Sequence, residues 1–298
     1  MKKIFIIIAL VLISTILTSC GEGKIDITDI DYEPKIVVEA MLYPGENVKG
    51  IKISRNYNLS LSSVDKDNIY LNDADVTIID GSIRYNLLYD AATKSYYYTG
   101  NNLVIGYNKN YKIEVKATID GKELFCWAET STPNDSLVIY KDLSIKNDDT
   151  VIYYKSKLPT ITFKSISNIQ FYAIANDYIG VADSNSFIND NILGIKYEDI
   201  KEKIVDYKNR YTWLQNIKDI NFPISKSLDW FDFFFYGKYR LTIYAANNDF
   251  QQYFVTAQNT QEMDGNFHHP RTNIRGDGLG YFAAAKKYSF EYLLIRRQ

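Results

Sequence analysis

The sequence is poor in the side chains that bind metals or build disulfide frameworks, because its 298 residues include two cysteines and two histidines. Two cysteines exclude a scaffold held by several disulfides and a multi-cysteine zinc site. Neither charge sign dominates, since 34 basic residues face 36 acidic ones and leave a formal net charge of -2. A near-neutral chain lacks the basic surface with which general nucleic-acid-binding proteins displace counterions, so we expect no nucleic-acid partner.

Motifs of the common catalytic chemistries are also missing. The sequence contains no Gly-x-Ser-x-Gly elbow, no Walker loop and no His-Glu-x-x-His helix. A glycine-rich run, Gly276–Gly280, is followed by Tyr281 where a dinucleotide fingerprint requires glycine, so we expect a loop with close backbone packing or positive φ values there. The sequence therefore predicts a non-enzymatic protein without a cofactor.

Two short clusters carry metal-type ligands without the spacing that metal sites need. Asn72–Asp75 has the acids of a calcium site but not the loop spacing and glycine of an EF-hand. His268 and His269 are adjacent, so on a strand they would point to opposite faces, and Pro270 favours a loop. We predict no metal site.

The N-terminus has the pattern of an export signal. Lys2 and Lys3 precede the apolar run Ile4–Ile13, which is too short for a confident membrane-spanning helix and is typical of a secretory signal peptide over residues 1–19. Leu17–Gly21 resembles the lipobox of bacterial lipoproteins, in which Cys20 is acylated and becomes the first mature residue. Two or three acyl chains anchor a protein stably, whereas one binds only marginally.

Residues 20–33 are predicted to form a lipidated tether, and residues 34–133 a β-sandwich domain. Asp80-Gly81 and Asp120-Gly121 are hairpin signals between alternating segments, and no helix is conspicuous in this half. The pattern favours an antiparallel sandwich of the immunoglobulin or transthyretin kind. Seven strands are predicted, at about 35–42, 48–55, 75–79, 83–89, 95–98, 111–117 and 124–130.

Residues 134–298 are predicted to form a β-rich C-terminal domain that also contains helices, so the whole chain is mainly β. Ile200, Ile204 and Tyr207 are spaced for an amphipathic helix near residues 198–217. A second helix is expected near residues 249–261, with Asn247 or Asn248 as its cap. Strands are expected at 160–164, 169–174, 238–245 and 288–295, and a long irregular segment at 176–194.

Aromatic residues are abundant, with 26 Tyr, 15 Phe and 3 Trp, and they are densest at residues 230–236. Such a cluster packs into a core or forms a lip that binds a ligand or a partner, and the sequence leaves both interpretations open. The candidate contact residues are Trp230, Phe231, Phe234 and Tyr236. Cys126 lies in a strand pattern and is expected to be a small buried apolar residue.

Several of these segments together resemble a family of Bacteroidetes-type outer-membrane lipoproteins of unknown function. The resemblance rests on the lipobox, Val37–Ala40, Ala74–Ile78, Tyr111–Val115, the turn Phe235–Lys238, and the closing segments Asn273–Gly276 and Gly278–Phe282. Members of this family resemble accessory proteins encoded beside TonB-dependent receptors, which implies a role in outer-membrane uptake or envelope assembly. The motifs are structural, so the resemblance carries over no catalytic residue.

Three functional hypotheses follow, from different classes. The first is a non-enzymatic lipoprotein of the outer membrane, anchored through Cys20, that acts as an accessory or binding component of a TonB-dependent uptake or envelope system. The second is a lipoprotein that acts alone and binds a glycan or peptide through its aromatic residues. The third is an exported hydrolase, for which Asp229 and Asp232 are available carboxylates without a distinctive spacing.

Overall fold

A computed structural model describes residues 32–57, 69–154, 156–214, 223–257 and 270–297. Within them the chain is mainly β, as predicted. The predicted signal peptide, Cys20, nearly all of the predicted tether and the pair His268–His269 lie outside the described residues.

The N-terminal region consists of strands joined by tight turns at the predicted positions. Asp120 and Gly121 both have positive φ, of 52° and 76°, and connect two paired strands of ten residues each. The predicted strand at 83–89 is interrupted at Leu87 and forms two shorter strands. The strands are β1 Ile36–Leu42, β2 Lys52–Arg55, β3 Asp75–Asp80, β4 Ile83–Asn86, β5 Leu88–Asp90, β6 Ser95–Tyr97, β7 Asn110–Ile119 and β8 Lys122–Ser131.

The C-terminal region mixes strands with short helices. Its described strands are β9 Val138–Ile139, β10 Thr150–Ile152, β11 Thr160–Lys164, β12 Phe171–Tyr178, β13 Asn209–Leu214, β14 Pro223–Ser227, β15 Gly237–Ala246, β16 Arg275–Gly276 and β17 Gly278–Ile295. Its described α-helices are α1 Tyr197–Ile200, α2 Ile204–Lys208 and α3 Asn248–Ala257, and short 3-10 turns lie at Lys141–Leu143 and Trp230–Asp232.

The helix predicted over residues 198–217 is wrong in its second half. α1 and α2 supply two short helical segments, but β13 follows at once and pairs antiparallel with β12, with Tyr211 opposite Ala175. The segment Tyr211-Thr212-Trp213 is aromatic and β-branched, and the edge of β12 offers it a hydrogen-bonding partner, so tertiary pairing overrides the helical spacing. Residues 215–217 lie outside the described part.

The second predicted helix is present as α3, and Asn247 is its cap. The Asn247 Oδ1 atom accepts a hydrogen bond from the backbone N–H of Phe250 at 3.3 Å. The Nδ2 atom of Asn247 donates to Thr130 Oγ1 at 2.6 Å and to the Ser131 carbonyl at 3.0 Å, which ties the start of α3 to β8. Residues 258–261, at the predicted end of this helix, are outside the described part.

The glycine-rich run forms strands where we expected a loop. β17 begins at Gly278 and pairs in parallel with β1, so that Gly280 lies opposite Val38. The expected backbone features are nevertheless confirmed, because φ is +86° at Gly276 and +96° at Gly280. A Cβ atom on Gly280 would lie 2.1 Å from the Val38 carbonyl oxygen, so the close approach of β1 requires glycine.

Two sheets enclose the first core and form a β-sandwich. The large sheet has the strand order β13-β12-β15-β17-β1-β2, with β10 paired to β17, and the five-stranded sheet has the order β16-β8-β7-β3-β4. Side chains from β1, β2 and β17 form one apolar cluster with those of β3, β7 and β8. Its fully buried members include Ile36, Val38, Ala40, Ile78, Ile113, Val115, Cys126, Ala128 and Phe282.

A second core lies on the extension of the large sheet. It contains apolar residues between Leu137 and Leu294, whereas the first core draws on residues up to Ala128 together with Ile274, Phe282 and Ala284. The 18-residue strand β17 contributes to both cores. The division into domains at residues 133 and 134 stays a prediction.

Candidate functional site

The predicted aromatic cluster, residues 230–236, lies at the edge of the second core. Trp230 and Phe231 are in the 3-10 turn, and the backbone N–H of Asp229, which precedes the turn, donates to Asp232 Oδ2 at 3.0 Å. Phe231 is 41% exposed, and the Trp230 ring lies 5.3 Å from that of Tyr153. Two of the candidate contact residues therefore remain at or near the surface.

At Phe234 the structure supports the core interpretation over the contact interpretation, because its side chain is 1% exposed and its ring packs edge-on against that of Tyr207 at 4.9 Å. The segment predicted to be irregular at 176–194 is a strand at its first three residues, which belong to β12, and the remainder, 179–194, folds over this stretch. The backbone N–H of Ile188 donates to the Phe234 carbonyl at 2.9 Å. Because the stretch is covered on both sides, Phe233 and Phe235 are buried as well. Phe234 is a core residue and not a contact residue.

Tyr236 is half-buried at the margin of the same cluster. Its ring lies 5.9 Å from that of Tyr153, and the Arg296 guanidinium lies 5.4 Å from the Tyr236 ring. Burial raises the pKa of the Tyr236 phenol. The four predicted residues thus form the edge of a core and not one open platform.

A different set of aromatic residues forms a groove on the opposite face of the large sheet. Four alanines from β12, β15 and β17 form its floor, and Ala246 and Ala285 are register partners. Small side chains leave space above the sheet, and the groove has a volume of about 280 Å³. Its lining residues are Met41, Tyr43, Ala173, Ala175, Tyr211, Tyr244, Ala246, Phe250, Phe254, Tyr281 and Ala285.

Helix α3 forms one wall of this groove. Phe250 and Phe254 are four residues apart and lie on one face of the helix, with their rings stacked at 5.5 Å. Phe250 meets Tyr281 of β17 edge-on at 5.3 Å, and Phe254 meets Tyr211 of β13 edge-on at 6.1 Å. These contacts connect the helix to β17 and to the edge strand β13 on one face of the sheet, which leaves an aromatic rim around the alanine floor.

A larger and more polar cleft adjoins the groove. It has a volume of about 620 Å³ and shares Met41, Tyr43 and Tyr281 with the groove. Its remaining lining includes charged side chains of both signs and hydroxyl groups. These residues are Glu39, Lys49, Gly50, Lys52, Asp90, Thr93, Ser95 and Tyr97.

The tyrosines between the groove and the cleft are neutral at physiological pH. Burial raises the pKa of Tyr281 to about 12, and burial also raises the pKa of Tyr43. The Lys287 ammonium lies 4.2 Å from the Tyr43 ring centre and bridges to Glu46 at 3.1 Å. The phenols therefore act as apolar rings with hydroxyl groups that donate or accept hydrogen bonds.

Groove and cleft together suit binding. Ligand sites are concave, mostly apolar pockets with a few placed polar groups, of roughly 300–1,000 Å³. This site was not predicted from the sequence, because the groove alone takes its lining from five strands and one helix that are distant along the chain. The spacing of Phe250 and Phe254 was the one visible signal.

Within the described residues, the other candidate reactive and metal-binding side chains can be placed. Cys126 is fully buried, and burial raises the pKa of its thiol to about 12, so it is the small apolar residue that we expected. Burial also raises the pKa of the Asp232 carboxyl. No group of three or more His, Cys, Asp or Glu side chains in this part of the chain is placed to hold a metal ion. None of its helices is long and apolar enough to cross a membrane.

Comparison with known protein families assigns the chain. The model of the family described as "Domain of unknown function (DUF4249)" matches residues 22–291. The chain belongs to this family. The match extends from β1 into β17, so the groove and the cleft both lie within the DUF4249 region.

Other comparisons add little to the DUF4249 assignment. No curated protein matches the chain. Among solved structures, titin Ig tandem domains A164-A165 match with 6% sequence identity over 89% of this chain and 100% of that chain, at a TM-score of 0.19. A score this low carries no argument, and the sandwich description of this DUF4249 chain rests on its own strand pairing and core.

Proposed function

We propose that this protein is a non-enzymatic lipoprotein of a Bacteroidetes-type outer membrane, anchored through Cys20, that serves as an accessory or binding component of a TonB-dependent uptake or envelope system. The observation that carries the binding role is the aromatic groove with its adjoining polar cleft. The anchor is supported by the lipobox-like sequence Leu17–Gly21. The uptake or envelope role is supported by the family resemblance of the strand and closing segments.

A binding role accounts for the residues that line the groove and the cleft. The groove presents alanine, methionine and aromatic side chains, which contribute contact area but supply neither a nucleophile nor a general base at neutral pH. The carboxylates of the neighbouring cleft lie beside lysines and hydroxyl groups. Such a lining suits recognition of a solute that is apolar at one end and polar at the other.

Affinity purification of the natively lipidated protein from outer membranes tests this proposal. We expect one β-barrel receptor or another envelope component to co-purify with the wild-type chain. The Cys20→Ala variant is the matched control, because it lacks the acylated thiol, and it should lose both membrane attachment and the partner. Recovery of the lipidated chain without any envelope protein would contradict the accessory role.

A second candidate is a solute-binding lipoprotein that acts alone. The size of the groove favours it, because a cavity of about 280 Å³ beside a cleft of about 620 Å³ accommodates a solute without a partner protein. Under this alternative the purified chain binds its solute with the same affinity in the presence and absence of any co-purifying receptor. A solute that binds only to the receptor complex would exclude it.

A further inference from the structure

We infer that the groove and the cleft together bind a short peptide that carries an aromatic side chain. This inference rests on the proposed binding function and names its ligand class. The groove would take the aromatic ring, and the cleft would take the charged or polar main-chain ends of the peptide.

The groove fits a flat apolar ring. Alanine side chains on adjacent strands present a shallow floor, and the surrounding rings offer both faces and edges. Aromatic pairs prefer offset-stacked and edge-to-face arrangements at centroid separations of roughly 4.5–7 Å. A ring that enters above Ala175 would add to the edge-on pair that Phe254 and Tyr211 already form at a centroid separation of 6.1 Å.

The cleft suits a ligand that carries one positively charged group and one negatively charged group. Asp90 accepts hydrogen bonds from the Thr93 hydroxyl at 2.8 Å and the Ala92 backbone N–H at 3.0 Å, and these bonds hold the pKa of its carboxyl below the ordinary value. Lys49 and Lys52 line the same cleft, and Lys49 is 69% exposed in its side chain. A peptide brings an ammonium group for the carboxylates and a carboxylate for the lysines.

The groove and the cleft share part of their lining, so a single ligand can contact both. Met41, Tyr43 and Tyr281 line both, and Glu39 of the cleft is the register partner of Tyr281. A neutral glycan fits less well. Sugars need hydrogen-bonding groups directly beside the aromatic platform, whereas the groove offers phenolic hydroxyls alone and the charged groups lie in the cleft.

Calorimetric titration of the full chain in lipid nanodiscs tests the inference with four probes. These are the tripeptides Ala-Trp-Ala and Ala-Ala-Ala with free termini, Ala-Trp-Ala with blocked termini, and the glycan maltotriose. We expect free Ala-Trp-Ala to bind at least about tenfold more tightly than each of the other three. Equal affinity for Ala-Ala-Ala, or tighter binding of maltotriose, would overturn the peptide assignment, as would the absence of binding by free Ala-Trp-Ala.

Two variants locate the site. Ala175→Trp fills the groove from its floor and should weaken binding of Ala-Trp-Ala about tenfold or more. Leu193→Trp adds the same indole at a residue that is 53% exposed and does not line the groove, so it should bind as the wild type does. Far-UV circular dichroism verifies that both variants are folded. Unchanged affinity in folded Ala175→Trp would place binding elsewhere and refute the inference.

Phe254→Ala keeps the test decisive if Ala175→Trp does not fold. It removes one aromatic wall and leaves the floor intact, and we expect weaker binding of Ala-Trp-Ala with no change for Ala-Ala-Ala. An equal loss for both peptides would refute the role of the groove. Co-purification of an envelope partner without any tripeptide binding would refute this inference while leaving the proposed function intact.

Discussion

Replacement of Gly280 by alanine tests the close contact between β17 and β1. Residues on or next to these two strands line both the groove and the cleft. Gly280 has a φ of +96°, and an added Cβ would lie 2.1 Å from the Val38 carbonyl oxygen and 3.0 Å from the Val38 nitrogen. Both are backbone atoms of β1, so no side chain can rotate away to relieve the contact. The two strands must separate or the φ angle must change.

The expected cost has two parts. A positive φ at a non-glycine residue costs roughly 1–2 kcal/mol, and forcing extra volume into a packed site costs roughly 1–3 kcal/mol. Gly280→Ala should therefore lower the free energy of unfolding by about 2–5 kcal/mol. Gly121→Ala is the matched control, because Gly121 also has a positive φ but no atom within 4 Å of the added Cβ. It should cost only about 1–2 kcal/mol.

Urea unfolding followed by tryptophan fluorescence measures both variants. We expect Gly280→Ala to show the larger loss of stability. It should also weaken peptide binding, because β1 carries Met41, β17 carries Tyr281, and Tyr43 directly follows β1, and these three residues line both the groove and the cleft. Equal destabilisation of the two variants, to within about 0.5 kcal/mol, would show that β1 does not approach Gly280 closely and would refute the reasoning.

Three further results are expected. In the Cys20→Ala variant, the buried Cys126 thiol with its pKa of about 12 should react with thiol reagents only after unfolding, and rapid reaction of the folded protein would contradict its burial. Asn247→Ala should lower the free energy of unfolding by about 1–3 kcal/mol through loss of the cap and its bonds to β8, whereas the exposed neighbour Asn248→Ala should cost far less in the same urea titration. Burial raises the pKa of Asp249 above its ordinary value of 3.8, so the folded state binds the proton more tightly than the unfolded state. The wild type should therefore gain stability relative to Asp249→Asn as the pH falls from the raised pKa toward 3.8, and a pH-independent difference would contradict this.

The local features of the fold follow from the sequence. The turn at Asp120-Gly121, the alternation in β7 and β8 and the cap of α3 depend on residues close together in the chain, and all were predicted. The positive φ values of Gly276 and Gly280 were predicted as well, whereas their placement in strands was not. A strand there needs β1 as a partner, and β1 is more than 200 residues away along the chain.

Tertiary structure decided where the aromatic residues act. The sequence left residues 230–236 open between a core and a contact surface, and the loop that crosses this stretch buries Phe234 in the second core. The spacing of residues 209–214 favoured a helix, but pairing with β12 made this segment a strand and brought Tyr211 to the groove. The alanine floor has no local signature, since Ala175, Ala246 and Ala285 belong to three strands whose adjacency is set by long-range pairing. Side-chain periodicity specifies which face of a strand is buried, whereas the neighbours on that face are specified only when the sheet assembles.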